Sequence, residues 1–191
     1  MKTIANFINN FHVLPAASLK NIFDIAELKN FSKKDIITKK GKNPSNLYIL
    51  KSGVVRSYYS DNKNKEYISS LFTPCSTTGA LGALISNKPS VLSYDCLTDC
   101  ELFAINFKSL KELIYEDKDV AIMYSNALES IFLLLEARIY NLSVLNATER
   151  YINLKNEIPG IENMIPQYHI ASYLNVSAVQ LSRIRKEIYS K

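Results

Sequence analysis

The feature that most constrains this chain is a change of texture at Asn106. Residues 30–106 read as short strands broken by turns, and from Asn106 onward every pattern is helical. Leu47–Leu50, Val54–Tyr59, Tyr67–Phe72, Val91–Leu97 and Glu101–Ile105 are β-rich runs. Gly41–Ser45, Ser52-Gly53, Asp61–Asn64 and Asn87–Pro89 mark the turns between them. Strands at this even spacing, with no long helix among them, argue for an antiparallel β-roll or barrel rather than a parallel sheet. Ahead of the strands, residues 1–28 read as two short helices. Pro15 starts the second, and Ile22, Ile25 and Leu28 form its apolar face. The fold class is therefore α+β.

Past the switch, Asn106 is a suitable N-cap for a short helix carrying Leu110, Leu113 and Ile114. A long helix is predicted from about Asp119 to Leu145. It places Ala121, Tyr124, Leu128, Ile131, Leu135, Arg138, Leu142 and Leu145 at alternating spacings of three and four, a sustained heptad seam. One helix with two apolar faces needs two partners, so the seam predicts a homodimer. The alternative is that the helix packs only on its own β-roll, a role open to the off-seam Phe132 and Ile139. Arg138 interrupts the seam and is expected to pair with Glu136 or a carboxylate of the partner chain. Three shorter helices follow. They are Thr148–Glu157 ahead of Pro159-Gly160, then Pro166–Leu174, then Ser177–Tyr189 with a serine cap.

Within that last stretch, Gln167–Arg185 reads QYHIASYLNVSAVQLSRIR. With Gln167 as the first position, small Ala171 falls fifth, where two helices must cross closely. Asn175 falls ninth, a turn position that wants a left-handed backbone; asparagine tolerates it next best after glycine. Ile170, Leu174, Val176, Leu181 and Ile184 fill the apolar positions that lock the pair. Together these residues make a helix-turn-helix.

Such a motif presents the N-terminus of its second helix, here Ser177, to a major groove. Ala178, Val179, Ser182 and Arg183 lie on the outward face, with Gln180 beside it. Arg183 is the candidate for bidentate contact to guanine. Ala178 and Val179 offer apolar contact only, and Arg185 and Lys186 are candidate phosphate contacts. The net charge of +5 allows a polyanionic partner without demanding one. Its distribution is uneven: residues 1–65 carry 12 basic against 4 acidic residues, residues 66–149 carry 5 against 11, and residues 150–191 carry 6 against 3.

Other classes find little support. Hydrophobic residues make up 47% of the 191, enough for a real core and against wholesale disorder. Three cysteines give no disulfide framework and suit a reducing compartment, so a cytoplasmic location is expected. The longest apolar stretch reads as short of a spanning helix, Met1–Asn10 is no secretion signal, and no membrane role is expected. No phosphate loop or nucleophile elbow is present, and two isolated histidines make no acid–base or metal set. No catalytic residue, metal site or cofactor is assigned, and the chain is not expected to be an enzyme.

The whole chain resembles a Crp/Fnr-type transcription regulator. The resemblance is carried by Lys39–Pro74, Thr77–Pro89, Cys100–Ile105 and Ile165–Ile188, in that order along nearly all 191 residues. It implies a cyclic-nucleotide-binding-like β-roll (double-stranded β-helix or jelly-roll type) over residues 1–117. A dimerisation helix would span 118–145, and a helix-turn-helix domain without an evident wing 146–191. It also implies a homodimer on a near-palindromic double-stranded DNA site, with the transcription machinery as a further partner.

In nucleotide-binding members of that family, a Gly-Glu-Leu-Gly segment supplies a carboxylate for the ribose, and a following Arg-Ser pair clamps the cyclic phosphate. The matching positions here are Gly79, Ala80, Leu81 and Gly82, then Ser90 and Val91. Without the arginine fork the cyclic phosphate loses its charge-assisted donors, which argues against cyclic AMP or GMP and leaves the effector unknown. The family's iron–sulfur and haem inputs fit poorly too. Only Cys75, Cys96 and Cys100 are available as thiolates, and His12 and His169 lie outside the roll. A small-molecule-binding or protein-interaction module with a vestigial helix-turn-helix is the alternative reading.

Overall fold

The computed structural model describes residues 2–63 and 65–190, so Asn64 of the expected Asp61–Asn64 turn lies outside the described residues. The chain opens with α1 (Lys2–Asn9) and α2 (Ala16–Asp24). Eight strands follow: β1 (Ala26–Phe31), β2 (Ile36–Thr38), β3 (Asn46–Ser52), β4 (Val55–Ser60), β5 (Glu66–Phe72), β6 (Thr77–Thr78), β7 (Ser93–Cys96) and β8 (Cys100–Asn106). A short helix α3 (Leu81–Ser86) interrupts them. The rest is helical: α4 (Phe107–Glu116), α5 (Lys118–Val144), α6 (Ala147–Glu157), α7 (Ile161–Met164), α8 (Gln167–Tyr173) and α9 (Ala178–Tyr189). The strands form two four-stranded antiparallel sheets, ordered β1-β8-β3-β6 and β2-β7-β4-β5. The expected α+β class and antiparallel roll are both present.

Alternation along β3 shows how the roll is built. Tyr48 and Leu50 face one way, into a cluster with Val55, Cys96, Cys100, Leu102 and Ala104 that fills the space between the sheets. Leu47 and Ile49 face the other way, onto α1, α2, α4 and α5, with Phe103 and Ile105 beside them. The first sheet is thus buried on both faces, so its strands read as continuous apolar runs.

Two sequence readings are corrected. Leu28 is not on a helix; α2 stops at Asp24, and Leu28 sits in β1, 45% exposed. β1 pairs along its whole length with β8, from Ala26↔Ile105 to Phe31↔Cys100. β8 needs a partner on that side, and the pairing overrides a weak local helical preference. The second correction concerns α5. It runs 27 residues and contains an 18-residue window of mean hydropathy 1.4, so by length and composition it could span a bilayer. Its N-terminal half instead packs against the roll through buried Val120 and Met123.

Helix ends follow the local chemistry. Asn106 accepts a hydrogen bond from the Ser109 N–H at 3.2 Å. Asp117 accepts from Asp119 and Val120 and starts α5. Asn146 and Glu149 form a reciprocal capping box at the start of α6.

Candidate nucleic-acid interface and effector position

The helix-turn-helix is built as its residues require. Asn175 takes the left-handed conformation, φ +55°, and lets the chain reverse between α8 and α9. Ile170, Ala171, Leu174, Leu181 and Ile184 are buried in one cluster with Tyr151, Leu154 and Ile161 from α6 and α7. Ser177 caps α9 by accepting from the Gln180 N–H at 3.1 Å. The face of α9 opposite that core exposes Ala178, Val179, Gln180, Ser182, Arg183 and Lys186. Arg183 has no ion-pair partner among the described residues.

Arg185 differs. Its Nε lies 2.9 Å from Glu162 Oε1, within a polar knot where Tyr151, Tyr189 and Lys155 also converge on that carboxylate. The side chain assigned to phosphate is therefore held by its own fold. The reason is α7, a single turn the sequence reading did not contain, which brings Glu162 beneath α9.

Beyond its own core, the reading head is docked on the roll. Val54, Leu71 and Leu97 of the roll join the apolar cluster of the head. Ser172 of α8 accepts from the Ile68 N–H at 3.1 Å and donates to the Glu66 carbonyl at 3.3 Å. β5 is an edge strand, and α8 satisfies part of that open edge. Arg56 is the centre of the interface and is only 7% exposed. Its Nε and Nη2 donate to Asp95 at 2.7 and 2.9 Å, and Nη1 lies 2.7 Å from Glu66 Oε2. Nη1 is also 3.5 Å from His169 Nδ1, and the guanidinium covers the Tyr58 ring at 4.2 Å. Burial works against the charge, but Asp95 and Glu66 outweigh it and hold the Arg56 pKa above its ordinary value. Burial, then the charge of Arg56, pushes the His169 pKa down to about 4. Arginine can only donate, so Nδ1 of a neutral His169 carries the lone pair. This network escaped the sequence reading. The available signal was a charged residue inside the apolar run Val54–Tyr59, and it did not name its partners.

The predicted seam on α5 is divided by the structure. Ile131 is half-buried, as are Leu128 and Tyr124, and Tyr124 packs into the cluster against the roll. Arg138 turns to the head of its own chain, donating from Nη2 to the Tyr173 carbonyl at 2.6 Å and stacking 3.9 Å over the Tyr173 ring. It pairs with neither Glu136 nor a partner carboxylate. Leu135 and Leu142 are exposed, as are Phe132 (62%) and Ile139 (65%), the two residues given to the roll as the alternative. The exposed stripe is Phe132, Leu135, Ile139 and Leu142, again spaced three and four, with half-buried Leu128 one step ahead of it. Of the expected seam, Leu135 and Leu142 lie on that stripe and Arg138 does not.

The residues expected at the effector position, Gly79–Gly82, Ser90 and Val91, lie between β6 and β7. Gly79 has φ +115°, and a Cβ there would meet the Tyr48 ring at 3.3 Å. Ala80 is buried, Leu81 opens α3, and Gly82 is exposed. Ser90 is buried but spends its hydroxyl on its own turn, donating to the Leu92 carbonyl at 2.7 Å. Val91 faces solvent at 66% exposure. The space beside Ala80 is filled by Ala83, Tyr94, Phe72, Ile37 and Leu92. Arg56, the roll's one arginine, is committed to Asp95 and Glu66. No group of three or more His, Cys, Asp or Glu side chains among the described residues could hold a metal ion.

Comparison with known proteins matches this geometry. Residues 28–117, which hold the roll, match the family model of the cyclic nucleotide-binding domain. A roll joined through a long helix to a helix-turn-helix is also the fold of solved structures that include a putative transcriptional regulator of the Crp/Fnr family. FixK2 from Bradyrhizobium japonicum superposes with a TM-score of 0.75 at 18% identity, over 87% of this chain and 85% of that one. A putative transcriptional regulator of the Crp/Fnr family from Eubacterium rectale gives 0.72 at 18%, over 93% and 84%. The c-di-GMP responsive global regulator CLP from Xanthomonas campestris gives 0.69 at 17%, over 92% of each chain. No curated protein sequence matches the chain.

Proposed function

We propose that the chain is a homodimeric, sequence-specific DNA-binding transcription regulator of the Crp/Fnr type, acting in the cytoplasm without cyclic AMP or GMP. The observation that carries this reading is α9, capped by Ser177 and exposing Ala178, Val179, Gln180, Ser182 and Arg183 opposite the apolar core that buries Leu181 and Ile184. Arg183 reads a guanine, Lys186 meets phosphate, and Arg185 positions α9 through Glu162. The exposed stripe on α5 takes a second copy of the chain, which sets two heads about one helical turn apart on a near-palindrome.

Binding-site selection from genomic DNA with the purified protein tests the reading. The expected result is a near-palindromic site. On that site Arg183→Ala costs about 1–3 kcal/mol per contact and relaxes one position in each half. Lys186→Ala weakens all sequences alike and lowers the salt slope by about one per phosphate lost. Binding without sequence preference, unaltered by Arg183→Ala, overturns the proposal in favour of a roll whose helix-turn-helix no longer reads DNA. Calorimetry with cyclic AMP and cyclic GMP is expected to show no saturable heat.

A further inference from the structure

One end of the roll gathers lysines from three turns. Lys39, Lys40 and Lys42 lie in the turn after β2, Lys63 and Lys65 at the tip of the β4–β5 hairpin, and Lys88 in the turn after α3. Hydrogen bonds tie these turns together. The Lys40 ammonium donates to the Ser60 carbonyl at 3.2 Å, and the Lys40 N–H to Ser93 Oγ at 3.0 Å. The Gly41 N–H donates to the Ser90 carbonyl at 2.7 Å, and the Ser90 N–H to the Lys42 carbonyl at 2.9 Å. All six lysines are exposed, and none forms an ion pair among the described residues. The carboxylates of the hairpin are engaged elsewhere. Asp61 accepts from the backbone N–H groups of Lys63 and Lys65 at 2.8 and 2.9 Å, and Glu66 holds Arg56. This positive end adjoins the head. The carbonyl of Glu66, the residue after Lys65, accepts from Ser172 Oγ at 3.3 Å. Ser172 stands five residues ahead of the α9 cap Ser177, a span of at most about 18 Å even when fully extended.

We propose that this end of the roll is a second DNA-contacting surface, which binds phosphates of the duplex beyond the half-site read by α9. The proposal rests on the reading of α9 as the DNA-recognition helix. The head itself has few cations to offer. Arg150 is held by the Leu174 and Leu145 carbonyls at 3.1 and 2.6 Å, and Lys155 and Arg185 are held at Glu162. Arg183 and Lys186 are left facing outward. Phosphate contact is governed by charge and carries no sequence information, so it asks for cations on a surface rather than for a shaped pocket. Lysine suits that task, because a point charge on a flexible stem needs no fixed fork geometry. A protein partner fits less well. Protein–protein interfaces are depleted in lysine and enriched in aromatic and arginine anchors. Here the Tyr67 ring lies under the Lys65 ammonium at 4.9 Å.

Fluorescence-anisotropy titration of the full chain over a salt series tests the surface. The probes are the selected site in a short duplex ending at the half-sites, and the same site extended by about one helical turn on each side. Wild type is expected to bind the extended duplex at least tenfold more tightly at about 0.1 M salt, with a salt slope steeper by about 0.9 for each added phosphate contact. Lys42→Gln/Lys65→Gln/Lys88→Gln, with one lysine from each turn, is expected to erase most of that difference. Its affinity for the short duplex and its sequence preference are expected to stay as in wild type. Lys20→Gln/Lys108→Gln/Lys118→Gln removes the same charge from exposed positions on α2, α4 and α5, and is expected to keep the full difference. Equal affinity of wild type for both duplexes overturns the proposal. So does an undiminished difference in the first variant, which would leave these lysines to an acidic protein surface. An equal loss in the second variant also overturns it, by tracing the effect to net charge. Each of these results leaves the reading of α9 standing. Failure of that reading shows instead as equal binding of selected and scrambled short duplexes, and it takes this proposal with it.

Discussion

The two halves of α5 are made of similar residues and meet opposite fates. Lys118–Ile131 buries Val120 and Met123 against the roll. Phe132–Val144 is the more apolar half, yet Phe132, Leu133, Leu134, Leu135, Ile139, Tyr140, Leu142 and Val144 are all exposed. The difference teaches that an apolar run reports a need for burial and not the identity of what buries it. In the first half the roll supplies that surface. In the second, the head of the same chain covers only the strip that includes Arg138, and a second copy is the occupant we assign to the rest.

The largest expected effect sets the halves against each other. Val120→Asp puts an unpaired carboxylate into the roll's core and is expected to cost roughly 3–5 kcal/mol in denaturant unfolding. Phe132→Glu or Leu135→Glu is expected to leave a folded chain whose sedimentation mass has halved. If both glutamate variants keep the mass of wild type, the two halves do not differ in the way proposed.

A smaller effect comes from pH at the junction of roll and head. His169 faces Arg56 and Asp95 from the roll, with Lys33 nearby and the Tyr168 ring at 4.1 Å on its own helix. Its pKa is lowered to about 4 in the folded chain, against about 6.5 unfolded. Between those values the unfolded chain binds more protons, so stability falls as pH drops from about 6.5 toward 4. His169→Gln is expected to flatten that slope in urea titrations across the window. An unchanged slope would mean that the ring is not held neutral against Arg56.

The smallest effect sharpens the phase of the seam. Arg138→Ala removes a hydrogen bond to the Tyr173 carbonyl and a cation–π stack. The expected loss is about 1–3 kcal/mol in stability, with the mass of the assembly unaltered. A change in mass on Arg138→Ala would return the residue to the dimer seam.

Some of this was readable along the chain because its cause is local. Asn175 at φ +55°, the Ser177 cap and the Asn106 cap each follow from a side chain acting within four residues of its own backbone. That Ala80, Ser90 and Val91 carry neither a carboxylate nor a guanidinium was equally legible, since it concerns which functional groups exist at all. What the tertiary structure alone decided involves distant partners. Arg56 meets His169 across 113 positions, and Arg138 meets Tyr173 across 35. The heptad period of α5 is a property of residues three and four apart, whereas its phase depends on where the roll and the head lie around the helix. A repeat along one helix carries no information about that direction, so the exposure of Phe132 and Ile139 and the turn of Arg138 to the head were decided only once the chain had folded back on itself.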